Sequence, residues 1–188
     1  MSKREFFPVD NSRWKDLEKL FGIRGACGGC WCMTWRLSPK NFRENSGDGN
    51  KQLLKKLVYK DTKPGIIAYI DNEPAGWCAI APREIYIRLE NSKILAPVDD
   101  KKVWSVSCLF ISKKYRRQGL STELIRHAVK FCKEQGAKIV EAYPVAPYVE
   151  NMPAAFAWTG IPSSFEKAGF KEVARRSRTR PIMRYYIK

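Results

Sequence analysis

The chain has 188 residues, 44% of them apolar, and a net charge of +16 from 35 Lys and Arg against 19 Asp and Glu. This suffices for one buried core, while no run approaches the ~18 apolar residues of a membrane span and residues 1–10 lack the apolar block of a secretion signal. The expectation is a single domain over residues 1–188, cytoplasmic and without a membrane partner, whose basic excess answers to nucleic acid or to a cofactor carrying phosphates.

In chain order, Phe6 to Val9 reads as a strand, and Ser12 as the cap of a helix from Arg13 to Phe21 with Trp14, Leu17, Leu20 and Phe21 at helical spacing. Asn45 to Asn50 is turn chemistry and reads as a mobile loop before a helix from Lys51 to Tyr59. Ile66 to Ile70 and Pro74 to Ala81 form a hairpin around Asp71-Asn72-Glu73. Residues 83–102 read as a long polar connection, and Val103 to Ile111 as the most apolar strand. A basic loop over 112–118 leads into a helix from Gly119 to Gln135, striped by Leu120, Leu124, Ile125, Ala128 and Cys132. Lys138 to Tyr143, a short helix from Ser163 to Ala168, and strands Phe170 to Ala174 and Ile182 to Ile187 complete the chain.

A strand that ends in a basic loop and opens a helix at Gly119-Leu120-Ser121 suits phosphate, because the first helical turn offers free N–H groups and a favourable dipole. The run Ile111-Ser112-Lys113-Lys114-Tyr115-Arg116-Arg117-Gln118-Gly119-Leu120-Ser121 resembles the cofactor motif of the GNAT superfamily of N-acetyltransferases, Gln/Arg-x-x-Gly-x-Gly/Ala, with Arg116, Gly119 and Ser121 at its defining positions. The order of elements and Phe165-Glu166-Lys167-Ala168-Gly169-Phe170 resemble the same family.

The resemblance implies an α/β (α+β) fold with a mixed, mostly antiparallel central sheet of roughly six to seven strands and about four helices. It implies that acetyl-CoA is the co-substrate, with no metal. Leu109, Phe110 and Ile111 would pair with the pantetheine arm, and Arg116, Arg117, Gln118, Gly119, Leu120 and Ser121 would wrap the pyrophosphate. It also implies acetyl transfer to a primary amine by direct attack in a ternary complex. The acceptor class, small molecule or peptide, is left open, as is a homodimer. The family's usual acid, a tyrosine, is replaced by Phe165.

For catalysis, Tyr143 is the first candidate acid, with Tyr148 beside it, and Glu141 the candidate base, on the strand face it shares with Ile139 and Tyr143; Glu84 is a second base. Residues 22–50 and 83–102 are taken as substrate-side loops, in which Trp31, Trp35, Arg36, Tyr86 and Arg88 form an aromatic and basic wall favouring an acidic or planar acceptor. Cys27-Gly28-Gly29-Cys30-Trp31-Cys32 is read as a glycine-hinged loop of reduced thiols, since a closed zinc site needs a fourth ligand and His127 is the only histidine. Two rival readings stay open: an acyl-CoA sensor without turnover, favoured by Phe165, and a nucleic-acid-binding module, favoured by Arg175-Arg176-Ser177-Arg178-Thr179-Arg180.

Overall fold

A computed structural model describes residues 2–147, 153 and 156–188. Seven strands, β1 (Arg4–Pro8), β2 (Gly65–Ile70), β3 (Glu73–Pro82), β4 (Trp104–Ile111), β5 (Ile139–Ala142), β6 (Lys171–Arg175) and β7 (Pro181–Tyr186), form one mixed sheet in the order β1-β2-β3-β4-β5-β7-β6. All neighbours are antiparallel except β4 and β5. Six helices accompany it: α1 (Trp14–Phe21), α2 (Pro39–Glu44), α3 (Asp48–Tyr59), α4 (Ile87–Glu90), α5 (Leu120–Glu134) and α6 (Pro162–Glu166). No helix among the described residues is long and apolar enough to cross a membrane.

The helix count exceeds the sequence expectation because two short helices interrupt the supposed connections. Ser38 caps α2 by accepting from Asn41 N–H, with Pro39 at the first helical position, where its missing N–H costs nothing. The tract 45–50 is no free loop: it closes α2 and opens α3 at Asp48. At the start of α1, Asp10 rather than Ser12 supplies the cap, its carboxylate accepting from Ser12 N–H ahead of a short 3₁₀ turn. The β2–β3 turn holds Asp71 and Asn72 at positive φ, residue types that tolerate it.

The apolar stripe of α5 packs on one face of the sheet, where Leu120, Leu124, Ala128 and Cys132 meet Ile66, Cys78, Ile80, Val106 and Leu109. On the other face α1, α3 and the cysteine segment cover Ile67, Trp77 and Cys108 with Leu17, Phe21, Trp31 and Leu54. Strand β4 changes parity midway. Ala79 pairs with Cys108 and Ile80 with Val106, so Ser107 is a bulged residue without a partner on β3. Val106 and Leu109, three apart, therefore face the same core.

The bulge precedes a parting of strands. β4 and β5 are paired only at Trp104↔Val140, Ser105↔Glu141 and Val106↔Ala142, after which β5 ends. Among the described residues, no strand pairs with the remaining half of β4 on this side.

Candidate functional site

By the two-residue alternation of the β3–β4 ladder, Leu109 and Ile111 turn their backbone groups away from β3 into the parting. Leu109 N–H donates to the Trp158 carbonyl at 2.7 Å, and Arg116 Nε donates to the Ile111 carbonyl at 3.0 Å. Val145 N–H donates to the Gly160 carbonyl at 2.9 Å, so the segment 158–160 lies between the diverging strands. Among the described residues, what remains of the edge is the Leu109 carbonyl and the Ile111 N–H.

A groove of about 580 Å³ opens along this edge. One wall is Leu109, Phe110, Ile111, Arg116, Arg117, Gly119, Leu120 and Ser121; facing it are Trp158, Gly160, Ile161 and Ser164, with Ala26 and Cys27 from the cysteine segment. Of the residues assigned to the cofactor from sequence, only Gln118 stays out of the groove, its amide donating to the Lys114 carbonyl. Lys113, Arg116 and Arg117 give the lining three cations, and among the described residues no carboxylate lines it.

Gly119 makes the groove floor possible. It caps α5 in the left-handed conformation, φ 80° and ψ −3°, with no side chain to cap the helix. Among the described residues no acceptor meets the N–H groups of Gly119, Leu120 and Ser121, whereas Thr122 and Glu123 donate to the Gly119 carbonyl. A first turn without acceptors beside three cations has the chemistry to hold an anion.

Gly160 is equally constrained, at φ 81°, where a Cβ would lie 2.6 Å from the Phe165 ring and 2.9 Å from Leu109 Cδ1. Gly160→Ala is expected to displace the 158–160 segment from β4, lowering the thermal midpoint and exposing the Leu109 amide to hydrogen exchange. Unchanged protection of that amide would sink the expectation. Phe165 is itself buried, edge-on to Phe170 at 5.3 Å, and serves the core rather than the groove.

Glu141 and Tyr143 share a face, as their spacing predicts, yet neither lines the groove. They sit at the apex of the parting, fully buried, in a closed network. Glu141 Oε1 accepts from the Tyr143 hydroxyl at 2.7 Å and from Arg83 at 3.2 Å; Oε2 accepts from Arg184 Nε at 2.6 Å. Arg83 and Ser105 close on the Tyr143 oxygen at 2.7 and 2.8 Å. Arg184 continues to Asp99, and Arg83 to Glu90. Burial, then the Glu141 charge, holds the Tyr143 phenol well above its ordinary pKa, which makes it a poor proton donor. Glu84 is exposed and lines a separate hollow with Glu90, Asp99 and Lys101. Tyr148 lies outside the described residues.

The two substrate-side segments do meet: Arg88 N–H donates to the Trp35 carbonyl and Arg88 Nε to that of Leu37. Trp31, however, is core, stacked on Trp14 at 6.0 Å and edge-on to Phe21 at 5.5 Å. Trp35 lies 5.6 Å from Trp158, ring to ring, and Arg36 covers the ring of buried Tyr86. Burial pushes the Tyr86 phenol up to about 12. The cysteines are free thiols; Cys32 Sγ lies 3.2 Å from Cys108 Sγ and accepts from Trp77 Nε1. Among the described residues no cluster of three or more ligating side chains is placed to hold a metal ion.

The groove walls from Ala157 onward escaped the sequence reading, because Trp158 and Gly160 come to β4 only through tertiary contacts. The one local signal was Trp-x-Gly before a helix, which by itself is a turn.

Compared with known proteins, residues 31–157 match the model of the acetyltransferase (GNAT) family. No curated protein matches the chain. Among solved structures the fold is similar to PaiA N-acetyltransferase from Thermoplasma acidophilum in complex with coenzyme A, at 15% identity and TM-score 0.54 over 98% of this chain and 99% of that one. It is also similar to a chain of the NatC complex bound to Gag peptide and CoA, at 13% identity and TM-score 0.55 over 99% of both. A third likeness is to agmatine N-acetyltransferase, at 10% identity and TM-score 0.56 over 98% of both.

Proposed function

The chain belongs to the GNAT acetyltransferase family, and on that premise we propose that it moves an acetyl group from acetyl-CoA to a primary amine by direct attack in a ternary complex. The observation that carries this reading is the cationic groove in which the left-handed Gly119 leaves the first turn of α5 open beside the free edge of β4. Arg116, Arg117 and the N–H groups from Gly119 to Ser121 hold the pyrophosphate. The Leu109 carbonyl and Ile111 N–H take the pantetheine arm, because Trp158 already occupies the Leu109 N–H.

In the reaction the amine nitrogen bonds to the thioester carbon, the carbon–sulfur bond breaks, and the amine's proton is lost as the thiolate gains one. Both Glu141 oxygens are engaged by arginines or by Tyr143, so this pair shapes the apex of the cleft, and protons pass through water in the open groove. Rate enhancement then rests chiefly on positioning. Of the structural neighbours, one is an agmatine N-acetyltransferase and one is bound to Gag peptide and CoA, so both small and peptidic amines suit the reading.

The nucleic-acid reading is weakened in the arginine run, where Arg175 pairs with Glu172, Arg176 donates to the carbonyls of Ala96 and Pro97, and Arg180 to Thr159, leaving Arg178 exposed. Calorimetric titration with acetyl-CoA, desulfo-CoA, ATP and a short DNA duplex tests the proposal, followed by thiol release with an amine panel. Micromolar binding confined to the CoA compounds, with thiol release, is the expected result. Salt-sensitive DNA binding without a response to CoA would overturn it, and CoA binding without turnover by any amine would favour the sensor.

A further inference from the structure

Three arginines are almost wholly buried, and two of them are paired with carboxylates. Arg83 pairs with Glu141 and Glu90, and Arg184 with Glu141 and Asp99. Arg36 is 8% exposed and has no carboxylate partner among the described residues. Among the described residues its guanidinium meets Tyr86, with the hydroxyl at 3.5 Å and the ring centroid at 4.9 Å. A charge this far buried, held by a cation–π contact and one long polar contact, lacks the counter-charge that Arg83 and Arg184 have.

Two neighbouring polar groups are also unsatisfied. Ser107 Oγ, on the bulge of β4, lies beside the Tyr86 hydroxyl without a well-formed hydrogen bond, and Trp35 Nε1 has no acceptor among the described residues. Arg36 and Trp35 Nε1 are donors, and the Ser107 hydroxyl can donate. Trp158 links these side chains to the groove: it lines the groove, its carbonyl holds Leu109 N–H, and its ring lies against Trp35.

We propose that Arg36, with Ser107 and Tyr86, receives the carboxylate of the acceptor, so that the acceptor is a small amino acid presenting its amine toward Leu109. The inference rests on the acetyltransferase reading above. Ser107 and Leu109 are two residues apart along β4, at most about 6–7 Å because the bulge bends the strand, a span that a short amino acid together with its hydrogen bonds can bridge. Arg suits the task because its planar fork accepts a carboxylate bidentately.

The test is thiol release from acetyl-CoA with glycine, β-alanine, γ-aminobutyrate and the common L-amino acids, each beside its amide or decarboxylated counterpart. At least one carboxylated acceptor is expected to exceed its counterpart about 10- to 100-fold in kcat/KM, the range of a charge-assisted hydrogen bond. Arg36→Gln should abolish that preference through KM and leave the acetyl-CoA Kd unchanged, and Arg36→Lys should restore part of it. Because the substitution removes an uncompensated charge, the thermal midpoint of ligand-free Arg36→Gln should equal or exceed that of the parent. A variant that unfolds, or that keeps the carboxylate preference, overturns the proposal. Turnover of carboxylate-free amines alone overturns the substrate class but not acetyl transfer, whereas CoA binding with no accepted amine overturns both.

Discussion

Gly119→Glu is expected to weaken acetyl-CoA binding at least about 100-fold, roughly 2.8 kcal/mol, while leaving a folded protein. A Cβ at this position meets no atom within 4 Å, so nothing in the core is displaced. The left-handed conformation costs a non-glycine residue about 1–2 kcal/mol, and a carboxylate at the head of α5 regains part of that from the helix dipole. That same carboxylate would project where the open first turn would hold a phosphate, and repel it. Gly119→Ala, which carries the backbone strain without the charge, should bind within about tenfold of the parent. Calorimetry with circular dichroism separates the two effects. Normal binding by the glutamate variant would mean that the pyrophosphate lies elsewhere.

Glu141→Gln should act first on stability. The glutamate is wholly buried between two arginines, and its neutralisation leaves both guanidiniums short of a counter-charge. Breaking a buried pair from one side costs about 3–5 kcal/mol. Because Arg83 retains Glu90 and Arg184 retains Asp99, the lower end is expected, a fall in thermal midpoint of roughly 6–12 °C for a chain of this size. Thermal denaturation checks this directly. An unchanged midpoint with turnover abolished would restore Glu141 to the role of base.

The difference between these two residues shows what the sequence made legible. Gly119 lies in an unbroken local context, strand, basic loop and helix, in which alternation and the 3.6-residue stripe of α5 point to the same site. Glu141 owes its role to Arg83 and Arg184, which are 58 and 43 residues away and brought in by separate strands and loops. Period-2 reasoning put Glu141 and Tyr143 on one face and was silent about what else that face held. The bulge at Ser107 was equally hidden, because an alternating apolar strand reads the same with or without it. Asn45 to Asn50 misled for a different reason. Its turn-forming residues are also helix-terminating and helix-opening residues, and two helices meeting in so few positions leave no apolar period to detect.

The short pairing of β4 with β5 gives the molecule a seam. Strands β1–β4 and β5–β7 are two ladders joined edge to edge by three residue pairs, with α5 resting mainly on the first ladder and α6 touching the second through β7. Opening along that line breaks few backbone bonds and is resisted chiefly by side chains, the core that spans both ladders and the Glu141 network. A ligand lying in the groove would touch β4 on one side and the 158–164 segment on the other. It would act as a splint, slowing amide exchange in both ladders together.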